Sequence, residues 1–320
     1  WNIRSSNLSW NLNRWHTVLI AKISTYLSRF VPHLIVSNSN KAISYHKKFG
    51  YHEKKFSLIF NGFDDTQLYK NEKNKKDLRK KYKIKDEEFV IGNIARWDPQ
   101  KDHKNLLEAF SKIPNKKKLK LFLLGENIND KNENLVELIK KYKIKSENIV
   151  LHEQTDNVYN LMNIFDLTTI SSVGESFPNV VPESMLMEIP VVSTRVGDIS
   201  NVINKKSGWI CDPNDSEALK FKIEDAINEF QNDKKRWLER KSNCRKKIEN
   251  FFSINEMVNN YENLWSEVMN DQNFSSIEKF NNFQYKNNNT TICHIISSMS
   301  HGGAQQVLAR IMRNDKNTNH

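Results

Sequence analysis

Cysteine is scarce: Cys211, Cys244 and Cys293 are the only three in 320 residues. They are odd in number, far apart and outside any metal-ligand spacing, so neither a disulfide framework nor a zinc site is expected. Reduced thiols in a cytoplasmic setting are the expectation instead. No run of eighteen apolar residues occurs, so nothing reads as a membrane span. No basic, apolar, small-residue leader opens the chain. The first residue is Trp1 rather than Met, and the expectation is a fragment whose true beginning lies upstream. Neither a Ser-His-Asp arrangement, a metal-ligand cluster nor a Walker loop is visible, so no residue pattern calls for a metal or a cofactor.

The chain does hold the material of a core. Its 38% hydrophobic content and mean hydropathy of -0.69 are low, yet seven Trp and seventeen Phe supply large apolar groups. The length suits about two domains. The net charge of +11 is unevenly placed: residues 1–64 carry nine Lys or Arg against two acids, residues 65–250 carry 35 against 30, and the rest is nearly balanced. Lys, Asn and Ile are abundant throughout, so coding bias accounts for part of the excess. The amino-terminal basic stretch fits either a solvated face or an anionic membrane surface. A nucleic-acid partner is not expected, because no aromatic-basic interleaving or binding motif accompanies the charge.

Short apolar runs alternate with amphipathic stretches, the rhythm of a parallel sheet covered by helices. The runs predict strands over 33–38, 56–61, 89–95, 119–125, 148–153, 166–172, 190–196 and 208–212. Helices are predicted between them, for example over 103–113 and 133–144, and the fold class is α/β. Six strands between residue 89 and Cys211 suffice for one complete doubly wound domain. In 252–269, Met257, Tyr261, Leu264, Trp265 and Val268 share a helical face, the pattern of plain core packing. Residues 270–290 have the composition of a linker, after which a strand and a helix pattern resume.

The strongest chemical signal is "SSVGESFPNVVPESMLMEIPVV". Pro182 lacks an N–H, so it belongs in the first turn of a helix starting near Val180 or Val181. Phe177, Pro178, Asn179 and Val180 then form a strand-to-helix turn whose backbone N–H groups suit an anion such as phosphate. Glu175 precedes the turn and Glu183 lies in the first helical turn, so the two carboxylates are expected to bracket it. A glycosidase-like acid and base facing across one bond is the less natural alternative.

These residues resemble the EX7E motif of retaining GT-B glycosyltransferases, glycosyltransferase family 4. The spacing alone is weak, but its setting, "GESFPNVVPESM" followed by "PVVSTRVGD", is specific. "NGFD" at 61–64 resembles the family's interdomain hinge, and "IARWDPQKDHKNLLEAF" at 94–110 resembles the first strand, loop and helix of its donor domain. The resemblance spans about residues 1–269. It implies GT-B type Rossmann-like domains: the end of an acceptor domain at 1–64, a complete nucleotide-sugar domain at 65–250, and a closing helix at 251–269. It further implies transfer of a hexose-type sugar, with retention and without metal, from a nucleoside-diphosphate sugar to a glycan or lipid-linked acceptor. The setting implied is bacterial surface polysaccharide assembly on the cytoplasmic face of the membrane.

By the same resemblance Arg96 and Lys101 hold the diphosphate and stabilise the leaving group. Glu183 takes the ribose hydroxyls, Glu175 lies near hydroxyls of the donor sugar, and the backbone of Phe177–Val180 lies near the phosphates. His103 reads as a helix-start residue, while His152 falls in a loop that in the family approaches the nucleobase. The chain departs from the pattern where most of the acceptor domain should be, so transfer is expected to need more than this chain. "HIISSMSHGGAQQVLARI" at 294–311 resembles the start of a further module, with Gly302 and Gly303 in its loop. Either a second module begins at 291–320, or the tail folds back as in a circular permutation. A non-catalytic nucleotide-sugar-binding module is the alternative function.

Overall fold

The structure, a computed structural model, describes residues 1–5, 15–64, 66, 68–114 and 116–270. The expected linker and further module, Gly302 and Gly303 included, lie outside the described residues. The described residues divide into two compact units: those of Trp1–Asp64 with 251–270, and those of Asp65–Asn250.

The smaller unit runs β1 (Asn2–Ile3), α1 (Trp15–Leu27), β2 (Ile35–Ser37), α2 (Asn40–Phe49) and β3 (Phe56–Leu58). The three strands pair in parallel in the order β1-β2-β3. Ser39 starts α2 by accepting the Ala42 N–H, and Gly50 ends it in the left-handed conformation.

The larger unit continues with α3 (Glu72–Lys81), β4 (Phe89–Ile94), α4 (His103–Lys112), β5 (Leu119–Gly125), α5 (Glu133–Lys141), β6 (Ile149–Glu153) and α6 (Val158–Met162). Next come β7 (Leu167–Ile170), α7 (Val180–Leu186), β8 (Val191–Thr194), α8 (Ile199–Val202), β9 (Gly208–Cys211), α9 (Ser216–Asn232) and α10 (Lys234–Phe251). Six strands form one parallel sheet in the order β6-β5-β4-β7-β8-β9. Both faces of the central strands are covered, so β5 and β7 are buried along almost their whole length. Phe89, Ile91, Leu121 and Leu123 pack with Leu106 and Phe110 of α4 into the main core.

The last described helix, α11 (Ile254–Asn270), belongs to the smaller unit. Met257 and Tyr261 of the expected apolar stripe are buried against Val36 and Ile59, with Leu264 and Trp265 partly buried beside them. All eight expected strands form, most of them shorter than the apolar runs. Helix α5 stops at Lys141 rather than 144 because Lys143 turns left-handed at φ 52° and the Ile144 N–H closes back on the Ile139 carbonyl.

Candidate functional site

From β4 the sheet grows one way through β5 and β6, then the chain returns and grows the other way through β7, β8 and β9. The order reverses between β4 and β7. In open parallel sheets, ligands bind beyond the carboxyl ends of the strands at such a reversal point. Lys101 lies in the loop after β4 and Glu175 in the loop after β7. Their side chains form an ion pair across the reversal point. The Ser172 hydroxyl donates to the same carboxylate oxygen at 3.0 Å. Two further bonds join the loops: the Val173 N–H donates to the Gln100 carbonyl at 2.8 Å, and the Ser171 hydroxyl to the Lys101 carbonyl at 2.8 Å.

The loop after β8 closes on the same place. The Asp198 N–H donates to the Ser176 carbonyl at 3.2 Å. Gly197 makes that approach feasible: its φ is +49°, and a Cβ there would stand 2.1 Å from the Ser176 oxygen. The loop after β5 behaves likewise. At Gly125, φ +155°, a Cβ would meet the Ala95 oxygen at 2.3 Å, and the Trp97 N–H reaches the Glu126 carbonyl at 2.8 Å. Four loops thus converge, two of them through glycines that nothing larger could replace without displacement.

Arg96 stands at the outer edge, its side chain 57% exposed, with Nε and Nη2 at 3.1 and 2.9 Å from one oxygen of Asp98. The other Asp98 oxygen accepts the Gln100 N–H at 2.8 Å and starts the short turn Pro99–Lys101. Burial raises the Asp98 pKa, but the Gln100 N–H, Arg96 and Lys101 outweigh it and hold the carboxyl below its ordinary range. Asp102, left-handed at φ 47°, caps α4 by accepting the Asn105 N–H at 3.1 Å. His103 is the first residue of α4, as expected, and is buried beside Trp97 with ring centroids 5.2 Å apart. Burial lowers its pKa to about 4, so at neutral pH it is an uncharged imidazole.

Helix α7 starts at Val180 with Pro182 in its first turn. The Val181 N–H bonds the Pro178 carbonyl at 3.1 Å and the Glu183 N–H bonds the Asn179 carbonyl at 3.1 Å, so these two amides are turned inward. Phe177 and Pro178 are buried, while Asn179 and Val180 are half-buried. Glu183 is also buried, at 7% exposure, and accepts the Tyr159 hydroxyl from α6 at 3.2 Å. The two glutamates therefore answer to different partners: Glu175 to Lys101 and Ser172, Glu183 to Tyr159.

His152 does not lie in a loop. It pairs within the sheet opposite Leu124, and its ring stacks on Phe122 with centroids 6.1 Å apart. The parallel register carries β6 through His152 to Glu153 before the chain turns. Tyr159, Ser172 and Gly197 escaped the sequence reading. For Gly197 the turn in "STRVGD" was a usable signal; Tyr159 and Ser172 reach their glutamates only through tertiary contacts. Among the described residues no group of His, Cys, Asp or Glu is placed to hold a metal ion.

Residues 74–246 match the model of the family described as glycosyl transferases group 1. The chain is 30% identical over 225 residues to the capsular polysaccharide biosynthesis glycosyltransferase CapM of Staphylococcus aureus, covering 67% of this chain and 56% of that protein. It is 26% identical over 219 residues to the N-acetyl-alpha-D-glucosaminyl L-malate synthase of Bacillus anthracis, covering 68% and 55%. The chain thus spans a little over half the length of these two relatives. Among solved structures, Alr3699/HepE of Anabaena, determined with UDP and glucose, superposes with a TM-score of 0.72 at 20% identity, covering 83% of this chain and 70% of that one. At that identity the likeness concerns the fold, an α/β architecture of parallel sheets of the GT-B kind.

Proposed function

The chain belongs to the group 1 glycosyl transferases, and from that premise we propose that it takes part in retaining transfer of a hexose-type sugar from a nucleoside-diphosphate sugar to a glycan or lipid-linked acceptor. The observation that carries this reading is the pairing of Lys101 with Glu175 where strand order reverses between β4 and β7. An anionic donor suits a crevice edged by one paired lysine and one exposed arginine. Its diphosphate replaces Glu175 as the partner of Lys101, and Arg96 swings from Asp98 to complete the clamp. Glu175, released, accepts hydroxyls of the donor sugar. Glu183, kept in place by Tyr159, accepts the ribose hydroxyls. The turn Phe177–Val180 lies beside the phosphates.

In the transfer step the bond from the sugar C1 to the phosphate oxygen breaks, and its electron pair leaves with the nucleoside diphosphate. The acceptor hydroxyl oxygen bonds C1 on the same face, and its proton passes to the departing phosphate. Charge grows on the phosphate as the bond stretches, and Lys101 and Arg96 stabilise it most at that moment. The capsular relative supports a surface polysaccharide as the product class. No described helix is long and apolar enough to cross a membrane. The basic stretch at 1–64 supports peripheral attachment at the cytoplasmic face.

Calorimetry with UDP, GDP, ADP and their hexose conjugates tests the donor site. One nucleotide is expected to bind selectively, with Lys101→Ala, Arg96→Ala and Glu183→Ala each weakening it about 10- to 100-fold, the loss of a charge-assisted hydrogen bond. Equal affinity of all three variants and the parent for that nucleotide would remove the assignment.

A further inference from the structure

Arg96 and Lys101 stand in the same loop, but they are held differently. The Arg96–Asp98 pair lies within the loop with its side chains 57 and 24% exposed, and pairs so open to water contribute little. An incoming anion draws Arg96 away at small cost. The Lys101–Glu175 pair joins the loops after β4 and β7, and its side chains are only 23 and 16% exposed. Parting charges so far withdrawn from water leaves each poorly solvated. Lys101 Nζ and the Ser172 hydroxyl both donate to Oε1 of Glu175, so Oε2 accepts nothing from the described residues. When Lys101 turns away, Ser172 still retains the carboxylate. The loops also stay joined, because the bonds from the Val173 N–H to the Gln100 carbonyl and from the Ser171 hydroxyl to the Lys101 carbonyl use neither charged group.

Any anion that takes Lys101 must displace Glu175 and then lie beside it, negative against negative. A bare diphosphate offers the carboxylate no donor in exchange. A diphosphate that carries a sugar does, because the sugar hydroxyls donate to the carboxylate oxygens. Specificity is a difference of two affinities, and a contact that penalises the wrong ligand creates it as well as one that rewards the right ligand. We propose that the Lys101–Glu175 pair is the element by which the site tells a nucleoside-diphosphate sugar from a bare nucleoside diphosphate. The pair opposes both ligands, and only the sugar compensates Glu175 for losing Lys101. Once the sugar has been transferred, the pair re-forms and favours departure of the diphosphate. The inference rests on the donor-site reading above and adds how that site separates donor from product.

Calorimetry of the 320-residue chain with UDP, GDP and ADP, and with their glucose conjugates, provides the test. Glu175→Gln keeps the shape of the side chain and removes its charge. For the nucleotide that the parent binds, this variant should take the bare diphosphate about 10-fold more tightly than the parent does, and the glucose conjugate no more tightly. Glu175→Asp keeps the charge but shortens its reach toward Lys101, and should show part of the same gain. Adding Lys101→Ala to Glu175→Gln completes a double-mutant cycle, in which the gain is expected to shrink severalfold. Thermal unfolding confirms that each variant is folded. Failure of the parent to bind any of these nucleotides would remove the donor site and this role of the pair together. Binding that Lys101→Ala weakens but Glu175→Gln does not tighten would leave the donor site standing and overturn the role. A gain as large without Lys101 as with it would overturn it too, because Glu175 then acts by repulsion and not by competing for Lys101.

Discussion

Glu175 and Glu183 show how one spacing yields two environments. Seven residues apart, they lie on either side of a strand-to-helix turn, and the turn sends one carboxylate to Lys101 across the sheet's reversal point and the other to Tyr159 on α6. A pair acting on one bond would share a neighbourhood; separate anchors suit separate contacts on one extended ligand. Gly197 belongs to the same scale. Alanine there pays the left-handed penalty and also meets the Ser176 oxygen. Gly197→Ala is expected to cost about 1–3 kcal/mol and to weaken nucleotide binding, because the loop carrying Glu175 must move. Thermal unfolding and calorimetry check both, and an unchanged Tm with unchanged affinity would show that the close approach is not needed. That Arg96, Lys101 and Glu175 stand in loops after strands and Glu183 in a first helical turn could be read from the sequence, because apolar runs and Pro182 punctuate the chain there. The partners of Tyr159 and Ser172 could not, since a tyrosine in a short helix with buried Leu161 and Met162 and a serine at a strand end carry no mark of the carboxylate they will meet.

At the scale of elements, apolar runs located every expected strand but overstated most lengths. The run at 166–172 shows why. Pairing ends at Ile170, after which the Ser171 and Ser172 hydroxyls turn to the Lys101 carbonyl and the Glu175 carboxylate. Residues that look like strand are taken over by the site. Helices α9 and α10 meet through a different device. Arg240 gives Nε and Nη2 to the two oxygens of Glu229 at 2.7 Å each, donates Nη1 to the Lys205 carbonyl at 2.8 Å, and lies 4.0 Å from the Trp209 ring centroid. Both charged side chains are buried, at 3 and 9% exposure. Glu229→Ala leaves Arg240 buried without its carboxylate and should cost about 3–5 kcal/mol, whereas Arg240→Ala leaves Glu229 with Arg236 at 3.1 Å and should cost less. Arg240→Ala with Glu229→Ala together should cost much less than the sum of the single changes, and a double-mutant cycle by chemical denaturation measures the difference. Additive losses would mean that the pair is not coupled.

For the molecule as a whole, acid is expected to destabilise both units. Each buries a histidine whose pKa burial depresses: His46, 2% exposed, in the smaller unit and His103, 3% exposed, in the larger. The unfolded imidazole of His103 takes a proton near pH 6.5 and the folded one near 4, so in that window the unfolded chain binds more protons. Stability is therefore lost as pH falls from about 6.5 toward 4, by up to roughly 3 kcal/mol from His103, with no further loss from it below. Denaturation midpoints at pH 7 and pH 5 should differ less in His103→Phe than in the parent; an equal difference would assign the acid sensitivity elsewhere. The sequence by itself determined the α/β class, the order of elements and the loops that carry the charged and acidic residues of the site. These follow from period and punctuation, which are local properties of the chain. Tertiary structure alone decided which loops meet, because strand order is set by long-range pairing. It also decided that Lys101 answers Glu175 and that Tyr159 answers Glu183, since such contacts depend on neighbours the local pattern does not name.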